Sequence, residues 1–263
     1  MPNPELSIVI VSWNVKDLLQ SCLESIFRNQ LDLPLEVIVV DNASGDFTAQ
    51  MIKDRFPQVK LIANQTNVGF ATANNQGILE SNSDFILCLN PDTQILNDAL
   101  QKSLEFLKTN AQIGILGCKH VNPDWTLQQS VRRFPSFWAI FFIITKFAKI
   151  FPEMPPIYFY LAKDMNYKLA QPVDQVAGSF FLLRKKMLDE IGLFDENFFT
   201  WFEEVDLCRR ARDNGWQIWY YPEAQIVHHG GQSFNQQMTW QKQNVFFASA
   251  WYYFKKHGFF HKK

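Results

Sequence analysis

The chain has 263 residues, 47% of them hydrophobic and 19% charged. That length and composition fit one large α/β domain, or one domain with a small appendage, and leave room for a sizeable core. A formal net charge of -1 excludes the global basic field of a nucleic-acid binder, so any charged partner must be met locally.

Four cysteines (Cys22, Cys88, Cys118 and Cys208) are scattered without a CxxC pair, which predicts a reduced, cytoplasmic protein with neither disulfide framework nor zinc site. The opening MPNPELSIVIV has no basic n-region and no cleavage site, so no signal peptide is expected.

Residues 6–11 (LSIVIV) form a continuous apolar, β-branched run, the signature of a strand buried on both faces. Residues 15–29 follow with Leu18, Leu19, Cys22, Leu23, Ile26 and Phe27 at helical spacing. A second buried strand is predicted at 35–40, a turn at 41–45, a helix at 47–56 and a short strand at 59–63. A helix at 70–81 and a strand at 85–89 complete the regular part. Strands alternating with helices over short linkers predict a mostly parallel, doubly wound sheet with helices on both faces. After about Gly117 the alternation stops. Residues 122–134 are polar and aromatic, and 134–172 are rich in aromatics and prolines. One strand is expected at 175–184, a helix at 186–191, a short helix over 203–214 and a last strand at 217–221. The plan is a nucleotide-binding half (1–115), a more irregular acceptor half (116–233) and a basic aromatic C-terminal helix or tail (234–263).

The chemistry-bearing residues lie just after strands. They are Ser12-Trp13-Asn14, then Asp41-Asn42-Ala43-Ser44, then the 64–70 loop NQTNVGF with Asn67, Gly69 and Phe70, and finally Asn90-Pro91-Asp92-Thr93. Singly, each loop is what turns and N-caps need. Their recurrence at four strand ends points to one crevice, the usual ligand site of an open α/β sheet. No GxGxxG or GxxxxGK[ST] occurs, which disfavours a dinucleotide fold and a P-loop. Asp92, projecting from a strand end, can coordinate Mg²⁺ or Mn²⁺ bridging two phosphate oxygens, or can simply occupy a proline-containing turn. Glu203, Glu204 and Asp206 crowd an aromatic context that can raise a carboxyl pKa as a general base needs; equally, they can complement a helix dipole or pair with Arg209 and Arg210. His228, ahead of His229-Gly230-Gly231, can be a metal ligand or an ordinary surface histidine.

Taken together, these residues resemble the family 2 glycosyltransferases of GT-A fold, particularly the bacterial rhamnosyltransferase-like branch. The resemblance runs over residues 6–233. IVIVSWN (8–14), VIVVDNASGD (37–46), NVGFATANNQG (67–77) and LNPDT (89–93) carry it first. GSFFLLRKKMLDEIGLFDENFF (178–199), FEEVDLCRRARDNGW (202–216) and HHGGQS (228–233) follow in the same order. The resemblance implies that Ser12, Trp13, Asn14, Asp41, Asn42, Ser44 and Asn67 line the nucleoside part of a nucleotide-sugar site, with Gly69 and Phe70 shaping the adjacent loop. Asn90 and Asp92 then stand at the DxD-type element, Asp92 and His228 being the metal ligands, and Gly178 and Ser179 lie by the sugar and acceptor. The position that normally holds an Asp base holds Glu204, one methylene longer, with Glu203 and Asp206 as supporting carboxylates. The implied reaction is inverting transfer of a sugar, first of all rhamnose from dTDP-rhamnose, to a glycan or lipid-linked acceptor in cell-surface polysaccharide synthesis. Nucleotidyl transfer on the same fold, and a non-catalytic nucleotide- or carbohydrate-binding relative, are the alternatives.

Two segments point to a membrane surface. Residues 134–151 (FPSFWAIFFIITKFAKIF) are almost all apolar, broken by Lys146 and Lys149, and too short for a transmembrane helix. Residues 240–263 hold Lys242, Lys255, Lys256, Lys262 and Lys263 among aromatics, with no acidic residue. This pattern suits a peripheral contact with anionic lipid on the inner membrane face; a buried helix with a solvated tail is the alternative.

Overall fold

The computed structural model describes residues 4–29, 33–230 and 239–259, without the side chains at 148 and 239–242. The first expected strands form where the apolar runs lie: β1 (Leu6–Ser12), β2 (Leu35–Asp41), β3 (Lys60–Ala63) and β4 (Phe85–Leu89). Between them run α1 (Lys16–Arg28), α2 (Thr48–Arg55) and α3 (Phe70–Leu79). Helix α1 follows its apolar spacing, burying Leu19, Cys22, Leu23 and Ile26 on one face. The four strands are parallel in the order β3-β2-β1-β4. The chain therefore switches direction across the sheet between β1 and β4, where such sheets open a crevice at the strands' carboxyl ends.

The second half holds more regular structure than its composition predicts. It comprises β5 (Thr93–Ile95), α4 (Ala99–Thr109), β6 (Ile113–Val121), β7 (Leu127–Gln128) and β8 (Val131–Arg132). Next come α5 (Phe137–Ile144), α6 (Phe147–Ile150), α7 (Pro155–Tyr160), β9 (Gln171–Pro172) and β10 (Gln175–Val176). The last elements are β11 (Phe180–Arg184), α8 (Lys185–Ile191), α9 (Glu203–Asp213), β12 (Gln217–His228) and α10 (Thr239–His257). The main sheet runs β3-β2-β1-β4-β11-β6-β12-β5, with β7 on β6 and β9 on β12; β10 and β8 pair separately. Strand β11 is antiparallel to both neighbours, and β12 is again parallel to β6.

Two expectations are corrected. The single strand at 175–184 is two strands in different sheets, broken at 177–179. There Ala177 N–H donates to Ser130 O (2.8 Å) and Asn90 N–H to Ser179 O (3.1 Å). The last strand does not stop at Tyr221. It continues to His228 because Pro222 falls inside a register shift between Tyr221 and Gln225, a bulge where the missing N–H costs no ladder bond.

Side chains alternate across the sheet, and each face has its own core. Leu6, Ile8, Ile10, Leu87, Leu89, Phe180 and Leu182 face α1, α2 and α4. Val9, Ile86, Cys88, Phe181 and Leu183 face α3, α8, α9 and the C-terminal helix. The 234–263 stretch, expected as a C-terminal helix or tail, supplies α10, whose Ala250, Tyr253 and Phe254 are buried in that second core. Residues 231–238 and 260–263, including Gly231, Gln232, Ser233, Lys262 and Lys263, lie outside the described residues.

Helix α3 lies close on β1 because Gly77 has no side chain. A methyl added there would sit 2.3 Å from Val9 Cγ1. Helix propensity favours Ala over Gly by about 1 kcal/mol, but overpacking costs about 1–3 kcal/mol, and the clash should win. Gly77→Ala is therefore expected to lower stability in urea denaturation. Combining it with Val9→Ala should cost less than the sum of the two single changes.

Candidate active site

Ser12 and Asp41 end adjacent parallel strands and are register partners. Both are buried, and Ser12 Oγ and Asp41 Oδ1 make no hydrogen bond among the described residues. Buried polar atoms are normally satisfied, so two orphans side by side at strand ends mark a place that a ligand completes. Burial pushes the Asp41 carboxyl up, with hydrogen bonds from Ser44 working against it. Around this pair the expected residues brace the loops. Asn14 N–H donates to Ser44 Oγ (2.9 Å), and Asn14 Oδ1 accepts from Gly45 N–H (2.7 Å), joining the loops after β1 and β2. Asn42 Nδ2 donates to Asn67 Oδ1 (3.1 Å) and Gly69 O (3.2 Å), while its Oδ1 accepts from Asn64 and Val68 N–H. Asn42 and Asn67 thus fasten the 64–70 loop to β2. Gly69, at φ +89°, ends that loop against Phe199, whose carbonyl accepts from Phe70 N–H at 2.8 Å. Any Cβ at Gly69 would meet that oxygen at 2.8 Å, so only glycine fits. Trp13 is half-buried beside this group.

Asp92 lies in the turn between β4 and β5, and His228 ends β12. Pairing of β5 with β12 sets His228 opposite Thr93, and brings His228 Nε2 to 3.4 Å from Asp92 Oδ1. The Nδ1 side of that imidazole is set by a relay of hydrogen bonds that begins at a carboxylate. Thr126 Oγ1 donates to Asp124 Oδ1 (2.6 Å), so it can only accept from Asn122 Nδ2 (2.9 Å). Asn122 Oδ1 then accepts from Gln128 Nε2 (2.9 Å), which leaves Gln128 Oε1 to accept from His228 Nδ1–H (2.7 Å). Nε2 is therefore the ring atom turned toward Asp92. That atom is buried and makes no hydrogen bond among the described residues. One imidazole nitrogen and one carboxylate oxygen converging in this way are the donor set that a divalent ion takes. No cluster of three protein ligands occurs among the described residues, so phosphate or water oxygens would complete such a site. His120, pushed down to about 3 chiefly by burial, stays neutral beside Ser179 Oγ (3.4 Å).

The carboxylates come from the first turn of α9. Trp201 and Phe202 both take left-handed conformations (φ 64° and 68°), rare for bulky residues, and this sharp entry carries Glu203 and Glu204 into a cavity of about 230 Å³. Asn90, Gly178, Ser179, Arg132 and His228 line the same cavity, as does Phe70. Glu203 Oε2 and Glu204 Oε2 are buried without hydrogen bonds among the described residues. Burial, then the charge of Glu204, holds the Glu203 carboxyl well above the usual range. Burial also raises Glu204, with helix N-terminal N–H groups and the Arg132 guanidinium opposing it. Asp206 stands apart: it faces Arg210 Nε (2.8 Å), Lys256 Nζ (2.8 Å) and His257 Nε2 (2.7 Å), joining α9 to α10. Burial works to raise its carboxyl, yet hydrogen bonds from His257 and Lys256 hold it below the ordinary range.

The structure thus brings together Asn90, Gly178, Ser179, Glu203, Glu204 and His228 in one cavity, with Asp92 against His228, and leaves Asp206 outside. It adds Arg132, Gln128 and His120, which the sequence reading passes over. The only signal for them is the polar run of 128–132 (QQSVR) in a stretch otherwise read as irregular.

Comparison with known proteins identifies the family and the fold. The family model described as "Glycosyl transferase family 2" matches residues 7–192. An N-acetylglucosaminyl-diphospho-decaprenol L-rhamnosyltransferase of Mycobacterium tuberculosis is 28% identical over 241 residues, 87% of this chain and 77% of that protein. The rhamnosyltransferase WbbL of Escherichia coli is 26% identical over 251 residues, 91% and 90% of the two chains. Among solved structures, Staphylococcus aureus TarS (residues 1–349) superposes with a TM-score of 0.58 at 16% identity, over 95% of this chain and 72% of that one. GalNAc-T7, solved with UDP, GalNAc and Mn²⁺, gives 0.62 at 15% identity, over 86% and 44%. Both are glycosyltransferases of GT-A fold. The chain is a glycosyltransferase and belongs to glycosyl transferase family 2.

Proposed function

We propose that the protein transfers rhamnose from dTDP-rhamnose to a hydroxyl of a lipid-linked glycan, with inversion and with Mg²⁺ or Mn²⁺, in cell-surface polysaccharide synthesis. The observation that carries this reading is the shared cavity: Glu204, with Arg132 beside it, and His228, with Asp92 against it, face one space. Residues 1–115 hold the nucleotide-sugar, with Ser12 and Asp41 completing their hydrogen bonds on the nucleoside. Residues 116–233 supply the acceptor side. The relatives named as rhamnosyltransferases support the donor, and the decaprenol-linked substrate in one of their names supports the acceptor class.

In this reading Glu204 accepts the proton of the acceptor hydroxyl as that oxygen attacks the anomeric carbon. Glu203 stays protonated beside it, so the cavity carries one negative charge rather than two. Arg132 favours the ionised form of Glu204 against burial, and Gln128 holds the His228 ring with Nε2 toward Asp92. A bound Mg²⁺ or Mn²⁺ on Asp92 and His228 would neutralise charge on the departing nucleoside diphosphate.

Three measurements test these roles. Release of nucleoside diphosphate should require Mn²⁺ or Mg²⁺, stop with EDTA, and fall at least about a hundredfold in Asp92→Asn. Silence across donors, in a protein that binds nucleotide and is given membrane lipid extract, would instead indicate a binding protein without turnover. The base must be deprotonated, so activity rises with pH through the Glu204 pKa. Arg132→Gln removes the cation that lowers that pKa, and the acidic limb of the pH–rate profile should move to higher pH. Gln128→Leu should weaken Mn²⁺ binding about 10–100-fold, read from the free-ion EPR signal in the presence of nucleoside diphosphate.

A further inference from the structure

The second core opens to solvent along α5 and α10. A cavity of about 470 Å³ lies between these helices, walled by Phe137, Ile140, Ile144, Phe247, Trp251 and Phe254. Aromatic rings extend from it without a break. Phe137 meets Phe254 (6.0 Å between centroids) and Trp138 (5.6 Å). Trp138 then meets Phe142 (6.2 Å), Phe142 meets Phe147 (6.2 Å) and Phe147 meets Phe151 (5.9 Å). Many of the side chains here are exposed: Trp138 by 53%, Ile150 by 69% and Trp251 by 62%. A contiguous apolar surface of this kind on a folded chain marks a contact.

Charge selects the partner. Residues 134–151 and 240–263 contain no Asp or Glu. Lys146, Lys149 and Lys255 are exposed on them, while Lys256 is committed to Asp195 and Asp206. Aromatics that sit at a water–hydrocarbon boundary, ringed by lysines, match the surface of an anionic bilayer. No helix among the described residues is long and apolar enough to cross a membrane, so the contact is a face and not a span.

We infer that the α5–α6–α10 face docks on an anionic lipid bilayer, with a lipid hydrocarbon chain entering the cavity between α5 and α10. A neighbouring side of α10 backs the segment that lines the catalytic cavity. Ser249 Oγ donates to Thr200 O (2.9 Å), and Phe246 packs on Trp201 (5.6 Å) and Phe202 (5.5 Å). Thr200 and Trp201 line the catalytic cavity. The same helix therefore touches both the lipid groove and the lining of the cavity, and an acceptor anchored in the bilayer would offer its sugar nearby. As an account of where the acceptor is met, this rests on the glycosyl-transfer reading; the docking itself does not.

The test uses the whole protein and vesicles of phosphatidylcholine with or without phosphatidylglycerol, some carrying bromine at mid-chain. No sugar or metal is present, so failure here is separable from failure of the transfer assay. The protein should sediment with phosphatidylglycerol vesicles at low salt, release as salt rises, and lose tryptophan emission to the brominated chains. Phe247→Glu with Trp251→Glu, both at exposed positions, should keep the melting temperature and weaken partitioning about tenfold or more. Lys146→Glu with Lys149→Glu should abolish the preference for phosphatidylglycerol. Protein left in the supernatant, or binding and quenching unchanged in the first double variant, would overturn the inference. So would a dimer that the same variant dissociates, because the occupant of the face would then be a second copy.

Discussion

An imidazole nitrogen held against a carboxylate oxygen is the contact on which the rest of this site depends. His228 and Asp92 reach one another only because β12 runs past its proline bulge and pairs with β5. The imidazole keeps its tautomer only because β7 lies on β6 and sets Gln128 opposite His120, within reach of His228. The chain of donors starting at Asp124 carries no freedom to reverse, since a carboxylate, held ionised by its Thr126 hydrogen bonds, can only accept. Short strands at one edge of the sheet thus determine the chemistry of a single nitrogen.

The carboxylates opposite are arranged by different means. Two left-handed aromatic residues and a helix start put Glu203 and Glu204 in a buried space without satisfying their outer oxygens. Such an arrangement costs stability, and it persists because α8, α10 and the sheet enclose it from several sides. What it provides is a pair of identical groups in unlike surroundings. Arg132 reaches Glu204 by charge and opposes the burial that raises it, while Glu203 is raised by burial and by the charge of Glu204.

The donor half was legible in the sequence because its signals are local. Apolar runs of strand length, helical spacing and polar loops at strand ends each lie within a few residues, and β1 to β4 appear where those runs are. The 41–46 and 64–70 loops were also correctly placed. Their residues, however, mostly hold one another, with Asn42 and Asn67 spent on fastening the loop. The acceptor side was legible only through its resemblance to known sequences. Gln128 and Arg132 sit on two-residue strands whose pairing partners are distant along the chain, and no periodicity forms over so short a span. Pro222 reads as a stop when the bulge that accommodates it is unseen. Asp206 shares the first helical turn with the two glutamates, yet helical geometry turns it away from them toward Lys256 and His257.

That last contact changes what the end of the chain is. An α10 held by Ser249 to Thr200, by Phe246 to Trp201 and by Lys256 and His257 to a fully buried Asp206 is not a detachable appendage. Trimming the aromatic C-terminus to improve handling would expose the second core and strip a buried carboxylate of two of its hydrogen-bonding partners. It would also remove the support behind the loop that aims Glu203 and Glu204. A shortened protein that proved inactive would then report a collapsed wall, and would say nothing of whether lipid is needed.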